Sequence, residues 1–224
     1  MNRKYRRKYL FEFAKEKTNY KNKFYKIVFH AEKEDILRII RKVSNNSSMK
    51  MRIEKILFPK TIHDMCSNQI VINTELDVDY LRSYYIRIFC EYKEHIESYI
   101  DMKNQYEKFL FSEQYTEALH VINNIEEKMG LSVWSISKRM YLYDKVYGLE
   151  RHKRYLSELQ NNANNNILLS TLFELESYFA ESNTSYSAYK KRLEGYNDIL
   201  QENDIIRMYL DYRFNVEREF ELEK

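Results

Sequence analysis

The chain has 224 residues, 44% of them apolar and 15% aromatic, but only three glycines and one proline, where average usage gives roughly fifteen and ten. So few turn-formers exclude a many-stranded sandwich or barrel and the glycine-rich loops that cradle phosphates, while so much apolar surface excludes intrinsic disorder. The total charge of +3 conceals an asymmetry: residues 1–52 hold 16 basic and five acidic side chains, a balance of +11, which leaves −8 on the rest.

In chain order, the first 27 residues place Tyr5, Tyr9, Leu10, Phe13, Tyr20, Phe24 and Tyr25 at steps of one, three, four or seven, with basic residues between them. That spacing predicts one amphipathic helix with an aromatic stripe. Aromatic rings can stack on bases while lysine and arginine neutralise phosphates, so Arg3, Lys4, Arg6, Arg7, Lys8 and Lys15 are the candidate contacts if the chain binds nucleic acid. The alternative is intramolecular, with the basic head facing the acidic body or solvent. The N-terminus lacks the apolar stretch and small-residue cleavage site of a secretory signal.

A second helix is carried by Ile36, Leu37, Ile39, Ile40 and Val43, and ends at the polar run Ser44-Asn45-Asn46-Ser47-Ser48. A shorter one, Met49 to Phe58, stops before Pro59, because the residue preceding proline avoids the helical region. Residues 67–76 are the one stretch of strand-like composition, expected as a short extended connection or a helix start. From Asp77 a helical period returns with Val78, Leu81, Tyr85, Ile88, Phe89, Tyr92, Ile96 and Tyr99, capped by Asp77 or Asp79. The asparagine-rich segment 160–166 reads as a loop, followed by helices near Ile167–Ala180, Tyr186–Leu200 and Asp204–Phe220.

The sharpest signal is internal. Laid over each other at an offset of 34, residues 106–125 and 140–159 match in character: Tyr106 with Met140, Phe109 with Tyr143, Tyr115 with Leu149, Ile122 with Leu156 and Ile125 with Leu159. Breaks follow at Gly130-Leu131-Ser132 and at Asn161-Asn162. Each unit reads as two short helices, 99–112 with 115–129 and then 133–147 with 149–160. A looser third unit sets Phe179 against Tyr143 and Leu193 against Leu156 after two or three inserted residues.

Helix–turn–helix units at this period resemble the tetratricopeptide repeat. The segment Glu113-Gln114-Tyr115-Thr116-Glu117-Ala118-Leu119 is similar to that repeat's second-helix start, with Phe109 nine residues before Ala118 and Ile122 four after it. The first-helix Trp–Leu–Gly positions are not matched, since Gln105 and Tyr106 replace the leucine and glycine in one unit and Arg139 and Met140 in the next. His152 stands where the second alanine belongs, and no proline closes either unit. The resemblance implies an all-α fold of antiparallel helix pairs stacked as a short right-handed solenoid over residues 77–224, preceded by a basic helical region, 1–76. It also implies that first helices line a concave side that takes a partner protein or peptide, with Lys138, Arg139, Tyr141 and Lys145 as contacts. Trp134 anchors a partner or belongs to the core. An irregular bundle with a coincidental echo is the competing architecture.

Catalytic and metal signatures are sparse. His63 with Cys66 and Cys90 with His95 offer four zinc-type ligands, but Cys90 sits in an apolar run and reads as a small hydrophobe. Glu126-Glu127 and Glu174–Glu176 have the spacing of solvated helix faces, and Glu117 with His120 makes a single acid–histidine pair where a di-iron bundle needs two. Serine nucleophile elbows and dinucleotide fingerprints are absent. No metal or other cofactor is therefore expected. The reading that follows is a protein-binding helical scaffold rather than an enzyme, in a reducing bacterial cytosol given two cysteines. The alternative is nucleic-acid binding through helix 1–27, with an enzyme built from dispersed residues third.

Overall fold

The computed structural model describes residues 38–39, 41–43, 45–66, 78–163, 165–181, 184–200, 206–207 and 209–210. Among the described residues every regular element is helical and no strand occurs. The chain divides into two compact units, one up to Ser132 and the other from Val133 onward.

In the first unit, α1 (Ser47–Leu57) starts at Asn46, whose side chain accepts a hydrogen bond from the Met49 amide at 3.0 Å. Two residues of the predicted polar break are thereby helical, because an asparagine cap satisfies a free first-turn amide. Pro59 ends the helix as expected, and a short helix α2 (Ile62–Cys66) follows. The strand-like residues 67–76, Asp77 and the N-terminal helix 1–27 lie outside the described residues.

Helix α3 (Val78–Glu91) places Asp79 inside its first turn rather than at a cap. It breaks from α4 (Lys93–Phe111) at Tyr92, so the first helix of this pair begins six residues earlier than its predicted start at 99. Ile88 and Tyr92, one turn apart, take the buried stripe, while Tyr85 and Phe89 from the same predicted period are exposed. Tyr92 packs edge-on against Phe58 at 5.4 Å and against His95 at 5.8 Å, and His95 stacks on Phe58 at 5.6 Å.

Helices α4 and α5 (Tyr115–Met129) are joined by three residues and pack along their length as an antiparallel pair. Met102 and Tyr106 of α4 are buried, as are Ala118, Val121, Ile122 and Ile125 of α5, and the small methyl of Ala118 suits a close approach of the backbones. The end of α5 is closed by the segment 58–60. Leu131 N–H donates to Pro59 O at 2.6 Å, and the Lys60 ammonium donates to the Glu127 carbonyl. Gly130 makes that approach possible. Its φ of +82° and ψ of −177° belong to a region that only glycine enters readily, and a Cβ there would lie 2.7 Å from Phe58 C.

In the second unit, α6 (Val133–Tyr147) and α7 (Leu149–Asn162) are separated by the single residue Gly148, at φ +83° and ψ 172°. The polar loop is shorter than its composition suggests, since Gln160 to Asn162 complete the last turn of α7. Helix α8 (Ile167–Ala180) starts at Asn166, whose side chain accepts from Leu169 N–H at 3.0 Å. It is the most apolar element and packs against both α6 and α7, burying Thr171, Leu172, Phe173 and Leu175. Helices α9 (Tyr186–Glu194) and α10 (Asn197–Leu200) then lie against α8, around a core of Leu172, Leu175, Tyr189, Leu200 and Leu210. The predicted helix 186–200 is broken at Gly195-Tyr196.

Candidate functional site

Helix α6 carries all five residues that the repeat resemblance singles out for partner binding. Trp134, Lys138, Tyr141 and Lys145 recur at steps of four, three and four, so they share one stripe. Lys145 is exposed and the other three are half-buried, with the Lys145 ammonium 5.5 Å from the Tyr141 ring centre. The stripe combines two cations with two aromatic bodies, a composition suited to gripping an extended or helical partner segment.

Arg139 is not part of that stripe. It turns into the seam between α6 and α7, donates to Tyr143 Oη at 3.2 Å and lies 5.7 Å from the Tyr143 ring centre and 6.0 Å from that of Tyr155. Arg151 of α7 covers Tyr143 more closely, at 4.6 Å, and is fixed by Glu158 at 3.0 Å. Tyr143 meets Tyr155 edge-on at 5.2 Å. Two guanidinium groups thus share one phenol ring, each such contact contributing about 0.5–1 kcal/mol at a partly exposed site. A signal for this cluster exists in the sequence: Arg139 precedes Tyr143 by four, and Arg151 precedes Tyr155 by four.

Beneath this seam lies a buried polar layer. His152 Nε2 and Ser177 Oγ share a hydrogen bond of 2.8 Å that ties α7 to α8, and both residues are sealed from solvent. The His152 pKa falls below its ordinary value, first because burial disfavours the imidazolium and then because Lys153 repels it, with Glu181 and Asp144 pulling the other way. A serine–histidine pair invites a nucleophile reading. No substrate carbonyl can reach a pair with no exposed surface, so the contact is a structural bridge.

Glu174 and Glu176 do not form the solvated face their spacing suggests. Glu176 is wholly buried and accepts from Tyr209 Oη at 3.1 Å. Burial raises the Glu174 pKa, but hydrogen bonds from Arg192 and Tyr196 outweigh it, and the carboxyl ends below its usual range.

Among the described residues no group of three or more histidine, cysteine, aspartate or glutamate side chains converges as a metal site. Cys90 is exposed rather than buried, because Ile88 and Tyr92 take the inward positions of that turn, and burial raises the thiol pKa of half-buried Cys66. The nucleic-acid candidates Arg3, Lys4, Arg6, Arg7, Lys8 and Lys15 lie outside the described residues. The chain matches no protein-family model, no curated protein and no solved structure.

Proposed function

We propose that the chain is an interaction scaffold made of tetratricopeptide-like helix pairs, and that the α6 stripe Trp134, Lys138, Tyr141 and Lys145 contacts a partner protein or peptide. One observation supports this reading above others: burial repeats with the period seen in the sequence. The second helix of each pair starts at Tyr115 and at Leu149, and Ala118, Ile122 and Ile125 are buried in one as His152, Leu156 and Leu159 are in the other. Within the second unit, the helix that follows a pair packs against both members, as stacking of helix pairs requires.

The test is site-specific photo-crosslinking in cells. A photoreactive residue at Lys138, Tyr141 or Lys145 is expected to trap a discrete partner band, and one at exposed Arg154 of α7 is not. Identical bands from both helices, or none from α6, would remove the proposal.

A further inference from the structure

The second unit holds a cleft that the scaffold reading does not use. It lies between α8 and α9, has a volume of about 520 Å³, and is lined by Tyr178, Ala188, Lys191, Arg192, Gly195 and Tyr196. A phosphoryl group fills only a small part of such a space, which is of the size that takes whole small molecules. Lys191, Arg192, Tyr178 and Tyr196 thus line room for a charged group and a body attached to it.

The charges are not balanced in place. Arg192 pairs with Glu174, which also accepts from Tyr196, and its guanidinium lies 5.9 Å from the Tyr178 ring centre. Lys191, one residue earlier and exposed, has no carboxylate partner among the described residues. Among the described residues, Lys191, Arg192 and Glu174 sum to one positive charge, which one ligand anion would neutralise. A carboxylate ligand would merely exchange with Glu174 at Arg192, like for like. A phosphoryl dianion can engage Arg192 and Lys191 together, with a fork from the first and a point charge from the second. Tyr178 and Tyr196 supply flat walls against which a planar ring can lie.

We propose that the cleft between α8 and α9 binds a phosphomonoester bearing a planar ring, with Lys191 and Arg192 on the phosphoryl group and Tyr178 and Tyr196 on the ring. Recognition involves no residue of α6, so the cleft stands or falls separately from partner binding.

Adenosine monophosphate serves as the probe, titrated calorimetrically into the full chain at low salt, beside inorganic phosphate and adenosine. The expected order is adenosine monophosphate tightest, phosphate weaker and adenosine weakest. Lys191→Gln removes an exposed cation and should weaken the nucleotide about tenfold. Glu174→Gln removes the competing carboxylate and should tighten it, an effect that a merely structural Glu174 would not produce. Absence of saturable nucleotide binding, or affinities that ignore both substitutions, would overturn the site. Phosphate binding as tightly as the nucleotide would overturn the ring assignment.

Discussion

Ala118 and His152 stand 34 residues apart, each on the fourth residue of the second helix of its pair, and each is 0% exposed. One position is filled by a methyl group and the other by an imidazole that must find a polar partner. It finds Ser177 on α8. The same place in two helix pairs is thus filled once by a methyl group and once by a cross-link to the next helix.

Acid should loosen the second unit through His152. The imidazole is neutral in the folded state with a lowered pKa, while the unfolded chain titrates near 6.5, so the unfolded state binds more protons below that value. The stabilisation is complete above about pH 6.5 and is lost as the pH falls below it toward the folded-state pKa. His152 Nδ1 has no hydrogen-bond partner among the described residues, so a proton added there has nowhere to donate. Denaturant midpoints measured between pH 7.5 and 5 should fall. His152→Ala should cost about 2–4 kcal/mol at pH 7.5, from the cavity and the orphaned Ser177, while flattening the histidine part of the pH dependence.

The two positive-φ glycines should respond unequally to alanine. Gly130 and Gly148 have nearly the same backbone angles, in the region where a side chain costs on the order of 1–3 kcal/mol. They differ in surroundings. A Cβ at Gly148 meets nothing within 4 Å, whereas one at Gly130 runs into the Phe58 and Pro59 backbone. Gly148→Ala should therefore show the conformational cost alone. Gly130→Ala should show more, and should also break the Leu131–Pro59 hydrogen bond. Urea unfolding checks the first difference, and amide exchange at Leu131 the second.

Helix caps give a further pair. Asn46 and Asn166 each accept a hydrogen bond at 3.0 Å from the amide three residues on. Asn46→Ala and Asn166→Ala should each cost about 1 kcal/mol in thermal or chemical unfolding, and Asn→Asp little or nothing. An equal loss for Asn→Asp would point to a role other than capping.

Much of the secondary structure was legible because helix ends carry local signals. Three helices, Tyr115–Met129, Val133–Tyr147 and Ile167–Ala180, fall where glycine, asparagine and apolar periodicity place them. Errors arose where a tertiary contact overrides the local pattern. Tyr92 breaks α3 from α4 while buried against Phe58, a residue 34 positions away that no local window includes. Glu176 reads as a surface carboxylate, yet it is buried and accepts from Tyr209, 33 positions away and outside any local window. The place of the Arg139 guanidinium beside Tyr143 and Tyr155 likewise depends on α7, which the pattern of α6 alone does not include.

That division of α6 yields a last prediction, on partner binding against stability. Lys145→Glu alters an exposed side chain at the end of the stripe, so it should change unfolding by no more than about 0.5 kcal/mol. Its effect on a partner trapped at Tyr141 should be large, since reversing a contact charge replaces attraction by repulsion. Arg139→Ala should behave oppositely. It strips the Tyr143 and Tyr155 rings of one guanidinium and so costs stability of about 0.5–1.5 kcal/mol, with little change in the trapped band. Measuring both variants by chemical unfolding and by crosslinking yield separates the two roles. If Arg139→Ala abolished the band without loss of stability, the seam rather than the stripe would be the contact surface.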